Sequence, residues 1–131
     1  MHLLDTNICV YVIRDRPPQV RTRLNELGEE GVAISVITAM ELEVGALRSG
    51  GTEYSRRVGR YLQEAEILAL DDSARDAYAR LRFDLERRGA AIGPLDMLIA
   101  AHALALDATL VTHNEREFRR VKGLKVADWT R

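Results

Sequence analysis

The sequence predicts an α/β domain in which a central parallel sheet of four to five strands is flanked by helices on both faces. Three observations predict it. Short runs rich in β-branched residues alternate with longer segments of helical periodicity, which is the pattern of a parallel sheet with crossover helices. One helical segment, residues 95–106, is apolar nearly all round and is therefore expected to be buried. Acidic residues stand where several of these segments meet.

The predicted strands are short apolar or β-branched runs that end at a polar residue or a turn. They cover residues 2–4, 32–36, 67–70, 109–112 and 124–126, the last at an edge of the sheet. The helices between them are predicted from apolar residues at helical spacing. They cover residues 8–13, 18–27, 38–48, 53–66, 72–88 and 95–106. Trp129 follows the last strand and is expected to cover the core.

Several helix starts carry a local signal. Pro18 and Pro94 each fit the first position of a helix, where the missing N–H costs nothing. Asp72 is expected to cap the long fifth helix. Thr38 is followed three residues later by Glu41, which is the spacing of a capping box. This spacing predicts that Glu41 lies in the first turn of its helix.

Composition excludes several classes of protein. Nineteen basic and 20 acidic residues give a formal net charge of -1, so any nucleic-acid binding has to come from local basic patches. Cys9 is the only cysteine, so neither an internal disulfide nor a thiolate metal cage is possible. The sequence has no signal-peptide pattern and no run of about 20 apolar residues. We therefore expect a cytoplasmic protein with no membrane span.

Polar residues with ligand chemistry follow the ends of the predicted strands. Asp5, Glu41 and Asp96 each fall at the opening of a helix, and Asn114 and Glu117 follow the end of the fourth strand. In a parallel sheet these positions converge on the edge formed by the carboxyl ends of the strands, where ligands collect in open α/β folds. We therefore expect these five side chains to share one site.

A cluster of carboxylates indicates a divalent cation. Carboxylates brought together repel one another unless a cation lies between them. Oxygen ligands without cysteine or paired histidine favour Mg²⁺ or Mn²⁺ over zinc. Such an ion can activate water for attack on phosphorus and offset charge on the leaving oxygen. The predicted chemistry is therefore hydrolysis of a phosphodiester.

Each of these acids also has a purely structural interpretation, and spacing alone does not decide between the two. Asp5 is well placed to cap a helix, Glu41 to complete the capping box with Thr38, and Asp96 to interact with a helix dipole. Other polar residues are given structural roles. They are Glu43 as a solvated residue, His102 and Cys9 as core residues, and His113 as a loop residue.

Three segments in this order resemble a PIN domain and, more narrowly, the VapC toxins of bacterial toxin–antitoxin pairs. They are LLDTN, ISVITAMELEVG and IGPLDMLIAAHALALDATLVTHNEREF. The segment from Leu81 to Trp129 is similar to the VapC group that includes endonucleases specific for initiator tRNA. The resemblance covers nearly the whole chain and implies that residues 1–131 form a single PIN domain.

The resemblance assigns roles to the clustered residues. It implies that Asp5 and Asp96 are metal ligands and that Glu41 is the second acid of the site. The fourth acidic position of the wider family falls at Asn114, an amide here, which weakens a second metal site. Glu117 is the alternative source of that charge.

The resemblance also assigns supporting roles. Thr6 and Thr112 match positions whose hydroxyls help to arrange the site. His113 stands where close relatives often have asparagine, and it is given no role.

The resemblance further implies a Mg²⁺-dependent endoribonuclease in which Mn²⁺ can substitute, with tRNA as a lead on the substrate. Such proteins are usually homodimers and are held inactive by a VapB antitoxin whose C-terminal segment enters the active-site groove. Basic residues that flank the groove are candidates for RNA contacts, or else form a solvated face. They are Arg14, Arg16, Arg21, Arg23, Arg116, Arg119, Arg120 and Lys122.

Two other functions are compatible with parts of the pattern. A PIN fold kept for protein contact, without catalysis, is favoured by the amide at Asn114. An aspartyl-phosphate phosphatase or receiver-like domain is favoured by an aspartate at the end of the first strand. The phosphatases need a second aspartate two residues later, and this chain has Asn7 there.

Overall fold

The structure is a computed structural model that describes residues 1–28 and 31–131. Within these residues the chain forms five strands and seven helices. The strands are β1 (His2–Leu4), β2 (Val32–Ser35), β3 (Ile67–Leu68), β4 (Thr109–Val111) and β5 (Lys125–Ala127). The helices are α1 (Thr6–Arg14), α2 (Pro18–Leu27), α3 (Val36–Arg48), α4 (Glu53–Glu64), α5 (Ser73–Arg87), α6 (Pro94–Leu106) and α7 (Glu115–Phe118).

The five strands form one parallel sheet in the order β3-β2-β1-β4-β5. β1 lies at its centre, where Leu4 pairs with Ile34 on one side and with Val111 on the other. All the carboxyl ends of the strands therefore meet at one edge. The prediction of a parallel sheet is confirmed, and so is the edge position of the last strand.

Helices cover both faces of the sheet because consecutive strand residues point to opposite sides. Leu3 and Leu110 belong to a core cluster with Leu85 of α5 and residues of α6. Their neighbours Leu4 and Val111 belong to a second cluster with residues of α1, α2 and α4. Each strand of the centre is thus buried on both faces, as the short apolar runs predicted.

The C-terminal segment and the buried polar residues follow the expected pattern. Trp129 is 1% exposed and packs in the cluster on the α1 face. His102 and Cys9 are also buried, which confirms both as core residues. Glu43 is exposed, as predicted. None of the helices in the described ranges is long and apolar enough to cross a membrane.

The predicted capping box is wrong. The N-cap of α3 is Ser35, whose hydroxyl accepts a hydrogen bond of 3.1 Å from the backbone N–H of Ile37. The helix therefore begins at Val36, two residues before the predicted start, and Glu41 lies in its second turn. Thr38 is fully buried, and its hydroxyl has no hydrogen-bond partner among the described residues. Val36 was predicted to belong to the strand because it is β-branched. The Ser35 cap instead ends β2 at Ser35 and begins α3 at Val36.

The remaining differences are short. β3 ends at Leu68 and α4 at Glu64, each two residues before the predicted end, and β4 ends at Val111. Asp72 occupies the N-cap position of α5 but makes no capping hydrogen bond with its side chain. Asp71 accepts instead from the backbone N–H of Ser73, at 2.9 Å.

Candidate active site

Asp5 lies at the centre of the carboxyl edge of the sheet. Its backbone N–H donates to Val111 at 3.0 Å, which continues the pairing of β1 with β4. Its side chain caps α1 by accepting from the backbone N–H of Ile8, also at 3.0 Å. Asp5 is 6% exposed. The sheet and the helix therefore fix this carboxylate in place, and the structural interpretation of Asp5 as a cap is correct.

The surroundings of Asp5 disfavour the ionised form of its carboxyl group. The pKa of Asp5 is raised to about 6: burial raises it most, hydrogen bonds from Thr112 and Ile8 oppose the rise, and the nearby carboxylates of Asp96 and Glu41 add to it. A residue that served only as a helix cap would gain from being fully ionised, with no other acids facing it. The raised pKa is instead the behaviour of a carboxylate in a functional cluster.

Glu41 reaches the site from the second turn of α3. The hydroxyl of Thr6 donates to Glu41 Oε1 at 2.6 Å. Thr6 is the first residue of α1 and directly follows Asp5, so this bond ties the second acid to the first. The hydrogen bond joins residues 35 positions apart in sequence.

Removing the Thr6 hydroxyl is expected to lower activity without unfolding the protein. Thr6→Val should reduce the cleavage rate about 10-fold, as loss of a group that orients a ligand typically does, because Glu41 loses its anchor. Thr6→Ser, which keeps the hydroxyl, is the matched control. Cleavage assays beside thermal unfolding of both variants test this; equal rates for Thr6→Val and the parent would show that the bond does not position Glu41.

Asp96 comes to the site from the opposite face. It lies in the first turn of α6 and is half-buried. Its pKa is raised by burial and then by the carboxylates of Glu117 and Glu41. Gly93 lies beside it, since a Cβ atom at Gly93 would be in ordinary contact with Asp96 Oδ2, at 3.4 Å. The aspartate therefore faces the other acids and is not merely an acid at a helix start.

Asn114 and Glu117 form one unit after β4. The Asn114 amide donates to Glu117 Oε2 at 3.0 Å, and the Asn114 backbone N–H donates to Thr112 Oγ1 at 2.9 Å. Thr112 is fully buried and is also the hydroxyl beside Asp5. The amide at the fourth position is thus paired with a carboxylate, and Thr112 connects this unit to Asp5.

No basic side chain among the described residues is ion-paired with the four carboxylates of the site. The ion pairs of the described residues include none of Asp5, Glu41, Asp96 and Glu117. In the same part of the chain, no three His, Cys, Asp or Glu side chains are arranged to hold a metal ion by themselves. A site of few carboxylates with open positions is what Mg²⁺ uses, because it keeps several waters. The donor set therefore fits a hard divalent cation, and not one that needs a closed protein cage.

A protein-family model for the PIN domain matches residues 2–124. The chain belongs to the PIN-domain family. PIN-domain nucleases generally depend on a divalent metal, which agrees with the cluster of oxygen ligands in this PIN domain.

The similar proteins are VapC proteins. The tRNA(fMet)-specific endonuclease VapC of Shigella flexneri is 39% identical over 129 residues, which is 98% of this chain and 97% of that protein. Ribonuclease VapC2 of Rickettsia felis is 38% identical over 131 residues, which is 98% of this chain and 98% of that protein. A crystal structure of VapBC2 from Rickettsia felis, bound to a DNA fragment from the promoter, matches with a TM-score of 0.89 over 98% of each chain. A structure of VapBC-1 from nontypeable Haemophilus influenzae matches at 36% identity with a TM-score of 0.87, over 99% and 98% of the two chains.

Four of the eight basic residues that the sequence offered for RNA contact have an ion-pair or aromatic partner among the described residues. Several that the sequence offered for RNA contact form exposed ion pairs, namely Arg21 with Asp15, Arg119 with Glu115 and Lys122 with Asp84. Arg14 instead stacks over the Tyr54 ring, 4.8 Å from its centroid. The solvated-face interpretation thus fits the first three, and Arg14, the last residue of α1, lies at the opposite end of that helix from Asp5.

Sequence reasoning missed a buried link between two of the site helices. His102 of α6 is 3% exposed, and its Nδ1 lies 2.8 Å from the hydroxyl of Ser35, the N-cap of α3. Burial lowers the pKa of His102. The contact connects the helix that carries Asp96 to the cap of the helix that carries Glu41. Its sequence separation of 67 residues gave no local signal.

Loss of this link is expected to disturb both stability and the spacing of the acids. His102→Leu should cost about 1–3 kcal/mol of the free energy of unfolding, because the buried Ser35 hydroxyl loses a partner. His102→Gln, which keeps a polar group in reach, should lose less. Urea unfolding measures the first effect, and cleavage by the folded fraction measures the second. A His102→Leu variant with the stability of the parent would contradict the role of this contact.

Proposed function

We propose that this chain is the toxin of a VapBC-type toxin–antitoxin pair and acts as a Mg²⁺-dependent endoribonuclease. The observation that carries the proposal is the meeting of Asp5, Glu41 and Asp96 at one edge of the sheet, in a chain whose relatives of full-length similarity are named ribonucleases. Residues 1–131 act as a single domain in this proposal, since the sheet takes strands from both ends of the chain.

Asp5 and Asp96 are the proposed ligands for Mg²⁺, for which Mn²⁺ can substitute. Both have raised pKa values, and each contributes to a field of negative charge that a divalent cation would offset. When bound, the ion supplies Lewis-acid stabilisation of the charge that develops on the phosphodiester oxygens.

The other residues of the site act through their own hydrogen bonds. Glu41 Oε1 accepts a hydrogen bond from the Thr6 hydroxyl. The other oxygen, Oε2, is then free to orient the attacking water and accept its proton. Thr112 holds the loop after β4 against Asp5. Asn114 fixes Glu117 at 3.0 Å, so that the pair supplies negative charge at the fourth position.

The proposed substrate is RNA, with tRNA as the first candidate because a relative is named for tRNA(fMet). The proposed protein partner is a VapB-type antitoxin, since the similar structures are VapBC complexes. The proposed location is the cytoplasm, where tRNA is found.

A homodimer is proposed as the working form. Three large apolar side chains of α3 are exposed on one side of the helix: Met40 by 55%, Val44 by 45% and Leu47 by 81%. Their spacing of four and three residues places them in one stripe. An exposed apolar stripe of this kind is typical of a surface that binds protein.

Cleavage of total bacterial tRNA by the purified chain tests the nuclease directly. Discrete fragments are expected with Mg²⁺ or Mn²⁺, none with EDTA, and none from Asp5→Asn. Glu43→Gln is the matched control, because Glu43 is an exposed acid on the same helix as Glu41. Folded, antitoxin-free protein that leaves every tRNA intact in Mg²⁺ would contradict the proposal for this substrate.

Two further measurements address the other functions. A binding module without catalysis predicts no cleavage and no Mg²⁺ binding at millimolar concentration by calorimetry. A phosphatase or receiver-like domain predicts a phosphoaspartate adduct at Asp5. The pairing of Asn114 with Glu117 favours the nuclease over the binding module. Asn114 is an amide at the fourth acidic position, and its hydrogen bond holds the Glu117 carboxylate beside that position.

A further inference from the structure

His113 and Asp128 form a pair that the proposed chemistry does not use. The Asp128 side chain is 1% exposed, whereas that of His113 is 55% exposed. His113 Nδ1 lies 3.2 Å from Asp128 Oδ2 and 3.0 Å from the hydroxyl of Thr130. A buried carboxylate therefore holds an imidazole whose other edge faces solvent.

The hydrogen bonds around Asp128 determine which nitrogen of His113 carries the hydrogen. Asp128 Oδ1 accepts from the Thr130 hydroxyl at 2.6 Å and from the Thr130 backbone N–H at 2.8 Å. Since the Thr130 hydroxyl donates to Asp128, it presents a lone pair to His113. Both neighbours of Nδ1 are thus acceptors, so Nδ1 donates. In the neutral ring this leaves Nε2 as an acceptor.

Burial on its own would raise the pKa of Asp128, but hydrogen bonds from Thr130 and His113 hold it below the ordinary value. Asp128 is therefore an ionised acceptor, which strengthens its hold on Nδ1. The Tyr11 ring contacts the imidazole edge-on, with the centroids 6.1 Å apart. The ring of His113 is thus oriented from several sides while Nε2 stays open.

The position of His113 relates this open nitrogen to the acids. His113 directly follows Thr112, which lies beside Asp5, and directly precedes Asn114, which holds Glu117. Tyr11 belongs to α1, the helix that Asp5 caps. His113 therefore follows β4 at the carboxyl edge of the sheet, on the face that α1 covers and next in sequence to two residues that contact the acids.

We infer that His113 Nε2 accepts a hydrogen bond from a ribose 2′-hydroxyl of RNA, on a nucleotide that flanks the cleaved phosphodiester. This inference rests on the proposed ribonuclease function. The backbone of RNA offers two polar groups, and the phosphate only accepts hydrogen bonds whereas the 2′-hydroxyl also donates. Among the groups of the backbone, an acceptor nitrogen oriented by Asp128 therefore selects the 2′-hydroxyl, and with it RNA over DNA.

Two variants separate this contact from a structural role. His113→Asn keeps an N–H where Nδ1 bonds Asp128 but has no atom at the place of Nε2. His113→Gln extends an amide toward the place of Nε2. If His113 only braces the loop through Asp128, His113→Asn should behave as the parent does. Thermal unfolding of both variants verifies that each is folded.

The test uses synthetic RNA stem-loops that span the mapped cleavage site, each with a single 2′-deoxynucleotide near that site. With the parent protein, one deoxy position is expected to reduce kcat/KM about 5- to 10-fold, the usual effect of one neutral hydrogen bond. With His113→Asn that reduction should vanish, because the partner is already gone, and with His113→Gln it should partly return. An unchanged reduction at every position in His113→Asn would overturn the inference while leaving the nuclease intact.

Binding separates the inference from the proposed function. The catalytically inactive Asp5→Asn protein, with and without His113→Asn, is titrated by fluorescence anisotropy against the ribose and 2′-deoxy forms of a tRNA(fMet) stem-loop, the RNA for which a relative is named. A preference for ribose that depends on His113 supports the subsite even if the parent cleaves nothing. Equal affinity for both forms in each protein overturns it, and loss of affinity for both forms alike would point to phosphate contact instead.

Discussion

Asp5→Asn is expected to abolish RNA cleavage and at the same time to stabilise the metal-free protein. Because Asp5 is a proposed direct ligand of the metal, its loss should reduce cleavage by more than the roughly 100-fold that loss of an outer partner can cost. Asparagine still accepts the hydrogen bond from Ile8 that caps α1, at 3.0 Å in the parent. The variant should therefore fold, and its loss of activity should come from the missing charge.

The gain in stability follows from the pKa of Asp5. Its folded value of about 6 lies above the ordinary value of 3.8. Between these values the folded protein holds a proton that the unfolded chain has released, so stability falls as pH rises through this range and stays low above it. The difference corresponds to about 3 kcal/mol at neutral pH. Asp5→Asn removes this cost and should raise the metal-free Tm by about 5–10 °C at pH 7.5.

Thermal unfolding at pH 4 and pH 7.5, with EDTA and with Mg²⁺, measures these effects together. The parent should gain stability from Mg²⁺ at pH 7.5, because the ion binds only the folded state. Asp5→Asn should gain little from it. Asp15→Asn, an exposed acid at the other end of α1, is the matched control. A variant less stable than the parent in EDTA at pH 7.5 would show that Asp5 contributes mainly as a helix cap.

The fold was largely predictable because its signals are local. Alternation of β-branched runs with helical periodicity required a parallel sheet, and Pro18 and Pro94 marked two helix starts correctly. The start of α3 was not predicted, because two caps competed within four residues. Ser35 forms the cap, and the similar signal at Thr38 falls inside the helix. The resemblance to the PIN family supplied the same fold independently.

The members of the site were predictable, but their connections were not. Strand ends and helix starts are visible in sequence, and they placed Asp5 and Asp96 at the carboxyl edge. The bond from Thr6 to Glu41 joins residues 35 apart, and the contact of His102 with Ser35 joins residues 67 apart. The first contact depends on how α1 packs against α3, and the second on how α6 packs against the start of α3. Neither periodicity nor capping spacing carries that information.

Asp96→Asn provides the second large effect and distinguishes a metal ligand from an acid that only adds charge. Asp96 faces Glu117 and Glu41, so its pKa is raised by neighbours as well as by burial. The variant should lose more than about 100-fold in cleavage and lose stabilisation by Mg²⁺, as expected for a direct ligand. Calorimetric titration with Mg²⁺ and Mn²⁺, beside the cleavage assay, measures both losses.

Glu117→Gln shows whether the loss of metal binding expected for Asp96→Asn is specific to Asp96. Glu117 acts on Asp96 through space and is held by Asn114 at 3.0 Å, so its loss should weaken cleavage by about 10-fold and leave Mg²⁺ binding detectable. Glu115→Gln, on the same short helix but paired with Arg119 at 3.4 Å, should leave both unchanged. If Asp96→Asn and Glu117→Gln were equally impaired in metal binding, Glu117 would itself be a metal ligand and would replace the acid that is missing at Asn114. If Asp96→Asn alone lost the metal, Asp5 and Asp96 would be the ligands of the metal, and Glu117 would act only as a nearby negative charge.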